Sequence, residues 1–401
     1  MTSSTPHTNI LAVSLKIWNS AEFHLIPYRY EVIFRMKKFF AILIVMLAIP
    51  QVCNAVDISA RSACLIVASS GEIVYEKEPH LKAPMASTTK MMTALVAAES
   101  DKWEEIATVS VNAQNQEGSK IYLAAGDEMK LSDLVCGMML NSGNDAAMAV
   151  AEHISGSCES FAALMTERAR ELGAEDTSFK NPNGLDAEGH HSTAYDLALI
   201  GREVIENEKL SDIVSCREMK VESTSGTVTY LRNHNKLLWN YDGTIGVKTG
   251  FTKASGRCLV SAAERDGVTL IAVTLNAPDD WNDHKKLFDY GFDVCDTERV
   301  IEKGEELARV RIGGKVLGFE AGADVMAVNV HGQKDDCEVV LHRIKAPQAP
   351  IAKGEKLGVA EVLQNGRHIA EVDLVASCDV YAGEEKESFL ERVFDWIDDL
   401  I

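Results

Sequence analysis

Apolar and polar positions recur with two different periods along this chain, and the switches between them outline its elements. The run "ACLIVASSGEIVYEKE" (63–78) places two stretches rich in β-branched residues around Ser69-Ser70-Gly71, which predicts a hairpin. Helical spacing follows, predicting helices over 87–99, 131–140, 144–155, 158–172 and 192–207, with Ser157 and Ser192 as N-caps. Four strand-like runs come next, "VTYLRN", "TIGVKTG", "RCLVSAAER" and "VTLIAVTLN", the last two joined by the Asp266-Gly267 turn. The stretch 284–293 reads as a closing helix. Strands at both ends with helices between them predict an α+β fold, an antiparallel sheet with helices packed on it.

Beyond residue 299 the pattern changes. Short strands alternate with the turns "KGEEL", "IGGK", "HGQKDD", "KGEK" and "QNGR", and no helix-length period appears, so a small all-β domain is expected to about 382. "KAPQAPIAKGE" (345–355) reads as a connector within it. The end, "ESFLERVFDWIDDLI", lines Phe389, Val393, Trp396 and Leu400 along one helical stripe, which predicts an amphipathic helix over 384–401 lying in a membrane interface. Its polar face sets Glu391, Asp395, Asp398 and Asp399 against Arg392, so apolar burial has to supply the attachment.

The other end carries a different signal. Residues 36–55 have Lys37 and Lys38, an apolar run from Phe39 to Ile49, then Pro50 and a small Ala55, the layout of a secretory signal peptide. The apolar run is short for a bilayer crossing. A signal of this kind is read at the start of a chain, so 1–35 are expected to be untranslated or disordered. The domain expectation is then a catalytic domain over 56–298, the β domain over 299–382, and an exported, extracytoplasmic protein on the outer face of a membrane.

Charge narrows the partners. The 401 residues carry a formal charge of −20, with no basic stripe interleaved with aromatics, which argues against nucleic acid. Eight cysteines follow the signal (Cys64, Cys136, Cys158, Cys216, Cys258, Cys295, Cys337 and Cys378) without any C-x-x-C pair, so no zinc site is expected. Cys136 and Cys258 sit in apolar runs and read as core residues. Export permits disulfides, and spacing leaves their pairing open.

The chemistry begins at "MASTTKMMTAL" (85–95). Ser87 and Lys90 are three apart, one helical turn, and share a face roughly 5–6 Å apart at Cβ. A lysine held there away from water loses its proton and can activate the hydroxyl. Two further stretches add to this: Ser142-Gly143-Asn144 between two helical segments, and Lys248-Thr249-Gly250 in a strand. The order and the spacings, about 50 and 100 residues, form one constellation.

With these motifs the sequence resembles the serine penicillin-recognising enzymes, and most closely the D-alanyl-D-alanine carboxypeptidases among the low-molecular-weight penicillin-binding proteins. "PMASTTKMMTALVA", "SGNDAA", "NPNGLD", "HHSTAYDLALI", "KTGFT" and "APIAKGEKLG" carry the likeness. The resemblance implies an enzyme that removes the terminal D-alanine from peptidoglycan stem pentapeptides ending in D-Ala-D-Ala. It implies acylation of Ser87, Lys90 as the base, and a proton relay through Ser142. Asn144 would hold Lys90 or the substrate amide, while Lys248 and Thr249 attract the substrate carboxylate. Gly250 would let the strand approach the substrate backbone, and the N–H groups of Ser87 and Phe251 would cradle the oxyanion. β-Lactam antibiotics would stall the acyl-enzyme, with no metal or organic cofactor needed. "NPNGLD" and "HHSTAYD" read as a turn and a helix cap. His234, Arg232 and Arg257 compete as the cation that supplements Lys248. The alternatives are a β-lactamase with the same motifs, for which no E-x-x-L-N loop is present, and a non-catalytic wall-binding relative.

Overall fold

The computed structural model describes residues 56–381, apart from 313–314 and 343–347. The expected leader (36–55), the stretch before it and the amphipathic helix (384–401) lie outside the described residues. Among the described residues, no helix is long and apolar enough to cross a membrane.

The hairpin forms as its pattern predicts, from β1 (Ser62–Val67) and β2 (Ile73–Lys77). A single turn of 3₁₀-helix, Ala86–Thr89, leads into α1 (Lys90–Glu99), so the expected helix of 87–99 starts as a tighter turn with Ser87 in it. A short pair, β3 (Ile106–Thr108) and β4 (Glu128–Lys130), precedes α2 (Leu131–Leu140), α3 (Asn144–Ser155) and α4 (Cys158–Glu171). Ser157 caps α4 by accepting from the Ser160 N–H. The expected Ser192 cap is corrected: α5 (Ala194–Glu206) is capped by Thr193, which accepts from Asp196 N–H, because Ser192 is in extended pairing with Ala83. Helix α6 (Glu208–Ser215) follows with Asn207 as its cap, an element too short for its period to stand out.

Strands β5 (Glu218–Glu222) and β6 (Val228–Arg232) form a separate antiparallel ribbon. Then β7 (Thr244–Thr252), β8 (Gly256–Arg265) and β9 (Val268–Leu275) join the first hairpin in one antiparallel sheet of order β2-β1-β9-β8-β7. Helix α7 (Asp280–Val294) starts earlier than its apolar period suggested, because Asp280 and Asp283 favour a helical first turn electrostatically.

Both faces of this sheet are covered, which is why β1, β8 and β9 read as nearly unbroken apolar runs. Alternate residues serve different cores. Cys64, Ile66, Val260, Ile271 and Val273 face the helical layer of α1 to α6, while Ala63, Leu65, Leu259, Leu270 and Ala272 face α7. His284 of α7 lies buried against the sheet, bonded to the Ser261 and Thr274 hydroxyls.

The all-β part begins directly at the end of α7. Strand β10 (Cys295–Ile301) starts inside the stretch assigned to the first domain and pairs with β13 (Val325–Val330). Its Cys295, with Val328 and Val330, belongs to the same core as α7. The remaining strands, β11 (Glu306–Ile312), β12 (Lys315–Ala321), β14 (Cys337–His342), β15 (Lys356–Gln364) and β16 (Arg367–Ala376), form a second antiparallel sheet of order β11-β12-β16-β15-β14. All eight described cysteines are free thiols, and Cys64, Cys136, Cys258 and Cys295 are buried.

Candidate active site

The 3₁₀ turn lifts Ser87 to the floor of a cleft between β7 and the loop that follows α2. Two residues beside it hold a left-handed backbone, Ala86 at φ +49° and Ser142 at φ +59°. Such conformations in residues other than glycine cost energy and persist where the surrounding structure enforces them. The space in front is a cavity of about 340 Å³ lined by Ser87, Ser142, Thr249, Gly250, Phe251 and His234, among others.

Lys90 points into the protein and is completely buried. Its Nζ lies 3.0 Å from Ser87 Oγ, 2.7 Å from Asn144 Oδ1 and 2.5 Å from the Asn183 carbonyl oxygen. Two of these three partners can only accept. A neutral amine has two N–H bonds and one lone pair, so donation to Asn144 and Asn183 leaves the lone pair for the Ser87 O–H. Burial, reinforced by the nearby Lys248 charge, holds the Lys90 amine well below the ordinary lysine range, with Asp145 opposing. The geometry accommodates an uncharged amine whose lone pair faces the Ser87 hydroxyl, and burial favours that form.

Asn144 opens α3. It is buried, and its Nδ2 donates to the Glu117 carbonyl at 2.5 Å. Its oxygen holds Lys90 while one of its two N–H groups is left after the Glu117 bond, so Asn144 can position Lys90 and still offer a donor to a substrate amide. Ser142 differs: its hydroxyl has no hydrogen-bond partner among the described residues and it lines the cleft.

On the facing strand, Lys248 is almost completely buried, and its Nζ donates to the Thr249 carbonyl at 3.1 Å. Burial lowers its pKa from 10.5 to about 7. Thr249 and Gly250 line the cavity, and the Phe251 side chain is exposed. A Cβ on Gly250 would lie 3.0 Å from Ser87 N and 3.1 Å from both Ala86 Cβ and the Met85 carbonyl. The missing side chain thus lets β7 abut the serine turn itself, in addition to any approach to substrate backbone.

A family model described as D-alanyl-D-alanine carboxypeptidase matches residues 49–279. The chain belongs to the D-alanyl-D-alanine carboxypeptidase family. A second model, for the C-terminal domain of penicillin-binding protein 5, matches residues 296–382. Among named relatives, D-alanyl-D-alanine carboxypeptidase DacF of Bacillus subtilis is 33% identical, over 80% of this chain and 86% of its own. DacC of Escherichia coli is 31% identical over 87% and 90%. Among solved structures, penicillin binding protein 5 from Haemophilus influenzae aligns with a TM-score of 0.60 and 29% identity, covering 81% of this chain and 98% of that one. The Streptomyces K15 DD-transpeptidase aligns at 0.57, with 29% identity over 59% of this chain and 98% of its own.

For a member of this family the structure adds residues that the sequence motifs did not reveal. The "NPNGLD" turn does more than reverse the chain: its Asn183 carbonyl is the third partner of Lys90. A backbone oxygen leaves no side-chain signature, so nothing in the sequence could have singled it out. The turn can sit there because Gly184 has φ +87° and no Cβ, which would otherwise fall 1.9 Å from the Ala86 carbonyl oxygen. Gln116 Oε1 accepts from Asn183 Nδ2 at 2.9 Å, so the 116–117 strap holds both acceptors of Lys90, Asn144 through Glu117 and Asn183 through Gln116. His190 stands behind the site: Nδ1 accepts from Lys180 N–H, leaving Nε2 as the donor to Thr89. Burial lowers it to about 4, so it is a neutral structural histidine.

The three competing cations separate. Arg257 is paired with the buried Asp280 at 2.9 Å and lies over Trp281. Arg232 lies on β6, beyond the cavity. His234 and Arg257 line the cavity, and so does Lys236, which belongs to none of the three motifs. Partial burial and the Lys248 charge lower His234, which leaves Lys236 and Arg257 as the other basic side chains lining the cavity.

Proposed function

We propose that this protein is a serine-type D-alanyl-D-alanine carboxypeptidase that removes the terminal D-alanine from peptidoglycan stem pentapeptides through an acyl-enzyme on Ser87. The observation that carries the reading is the Lys90 amine, dry and satisfied on two sides by pure acceptors, with its lone pair left for the Ser87 hydroxyl. Ser87 Oγ attacks the penultimate carbonyl as its proton passes to Lys90. The developing oxyanion is cradled by the backbone N–H groups of Ser87 and Phe251. Ser142, open to the cleft, relays the proton that Lys90 took from Ser87 to the departing amine, which returns Lys90 to its neutral form, and the D-alanine carboxylate leaves past Lys248, Thr249 and Lys236. Water, deprotonated by the same Lys90, then releases the shortened peptide. General-base assistance of this kind contributes typically 10²–10⁴-fold. A β-lactam presents the same carboxylate and a strained amide, and its acyl-enzyme is the inhibited state.

The reading extends to place and organisation. Residues 36–55 direct export, 56–298 carry the reaction, 299–382 form the accessory β domain, and 384–401 lie in the membrane interface on the extracytoplasmic side. Their apolar stripe supports this, set against an acidic face that rules out help from anionic lipid. Deleting 384–401 and fractionating cells tests the anchor: an unchanged membrane share refutes it.

The central experiment is incubation with fluorescent penicillin, with mapping of the labelled peptide, alongside D-alanine release from a peptide ending in D-Ala-D-Ala. Label on Ser87 and release without rapid penicillin turnover are expected, and Lys90→Ala should abolish both in a folded protein. Label elsewhere, or penicillin turnover faster than D-alanine release, overturns the assignment.

A further inference from the structure

The catalytic cavity does not end at its own rim. It shares His234 and Lys236 with a neighbouring groove of about 800 Å³, and that groove shares Tyr230 and Arg232 with a third depression of about 310 Å³ on the β5–β6 ribbon. The first cavity alone is within the size range of a small-ligand site. The trough beyond it is far more than a terminal dipeptide fills.

Its walls have a specific chemistry. Tyr230 is 79% exposed and Trp239 37% exposed, two aromatic faces on a protein surface that otherwise shows few. The Arg232 guanidinium lies over the Trp239 ring, 5.5 Å from its centroid, so the cation covers one face of that indole. Asn240 supplies an amide, Asn141 the NH2 of one whose oxygen accepts from the Arg232 N–H, and Lys236 a second basic side chain. Glu218 is the acid at the far edge, 3.6 Å from Arg232 in a solvent-exposed pair that contributes little. A basic, aromatic trough on a chain of net charge −20 is a local reversal of sign, and it attracts anions into one line leading to Ser87.

We propose that this trough is an extended subsite for the polymeric form of the substrate, a glycan strand bearing carboxylate-rich peptide stems. Sugar rings present apolar C–H faces that lie on Tyr230 and against the part of Trp239 that Arg232 leaves open, the amides of Asn141 and Asn240 meet hydroxyl and acetamido groups, and Arg232 with Lys236 takes stem carboxylates. The trough therefore sets a preference for assembled wall over short soluble peptides. This rests on the carboxypeptidase reading given above, and it specifies which form of the substrate the enzyme meets.

The test uses the full chain carrying Tyr230→Ser together with Arg232→Gln, two exposed positions outside the catalytic cavity. D-Alanine release is measured from a short synthetic peptide ending in D-Ala-D-Ala and from purified insoluble peptidoglycan rich in pentapeptide stems. The expected result is release from the short peptide within about twofold of the parent and a loss of about tenfold on the polymer, from one aromatic contact and one charge contact removed. Equal changes on both substrates, or no change on the polymer, overturn the proposal. Co-sedimentation of the Ser87→Ala chain with the same peptidoglycan needs no turnover. Retention that the double substitution abolishes supports the trough even if the hydrolytic reading fails, and retention that it leaves intact removes the trough.

Discussion

Replacing Lys248 with methionine should make this protein more stable and much less active. The side chain is 2% exposed, and its only hydrogen bond among the described residues goes to the Thr249 carbonyl. In the unfolded chain the amine titrates at 10.5, and in the folded protein at about 7. Between those values the unfolded state binds more protons, so stability rises with pH across the window 7 to 10.5 and is lowest at and below 7. At 1.36 kcal/mol for each tenfold, the charge costs about 5 kcal/mol near pH 7 and nothing above about 10.5. Losing the Thr249 bond gives back about 1 kcal/mol, and methionine fills the space with a flexible apolar chain. The net gain is roughly 4 kcal/mol at pH 7, fading as pH approaches 10.5. Equilibrium urea unfolding of parent and Lys248→Met, followed by tryptophan fluorescence from pH 6 to 10.5, measures it. Acylation by fluorescent penicillin should fall by about 10²–10³-fold, as for loss of a positioned electrostatic group. The Lys248 charge also helps keep Lys90 unprotonated, so the pH at which residual acylation reaches half its maximum should move upward. A variant no more stable at pH 7 than the parent, or a half-maximum displaced to lower pH, would show that Lys248 is not a desolvated charge beside Lys90.

Two further outcomes follow from the same geometry. Gly184→Ala puts a Cβ against the Ala86 carbonyl at φ +87°, where backbone stands on both sides and neither yields, so left-handed strain and overpacking together should cost about 2–5 kcal/mol. Penicillin labelling should slow as well, because the turn carries the Asn183 carbonyl away from Lys90; a denaturation midpoint and labelling rate equal to the parent's would refute this. His284, buried between α7 and the sheet, is lowered from 6.5 to about 3, so its neutral form supports the fold fully above pH 6.5 and that support is lost as pH falls to 3, about 5 kcal/mol in all. His284→Gln should flatten the acid limb of the stability curve by roughly that amount, and an unchanged slope between pH 6.5 and 3 would place the acid sensitivity elsewhere.

The antiparallel sheet and its helical cover were legible in the residue pattern, because period-2 and period-3.6 patterns are local and their caps and turns are short-range chemistry. The helices 131–140 and 144–155 appear where their periodicity places them, and Asp266-Gly267 makes the expected turn between β8 and β9. Three separate motifs pointed to one reaction because each contains the side chains that the reaction needs. What they could not supply was the state of those side chains. Lys90 is held dry only because α3, the 116–117 strap and the "NPNGLD" turn converge on it from positions far apart in the chain. The third partner is a backbone carbonyl, which has no residue type to read. The exchange of Ser192 for Thr193 as a cap has the same origin, a long-range pairing with Ala83 that local preference cannot anticipate. The aromatic and basic trough likewise joins β6, the one-turn helix Leu237–Asn240 and the end of α2, and only the folded surface makes them one wall. Composition and spacing specify which groups are present; burial and convergence, which are properties of the whole fold, decide which of them carry charge and which face one another.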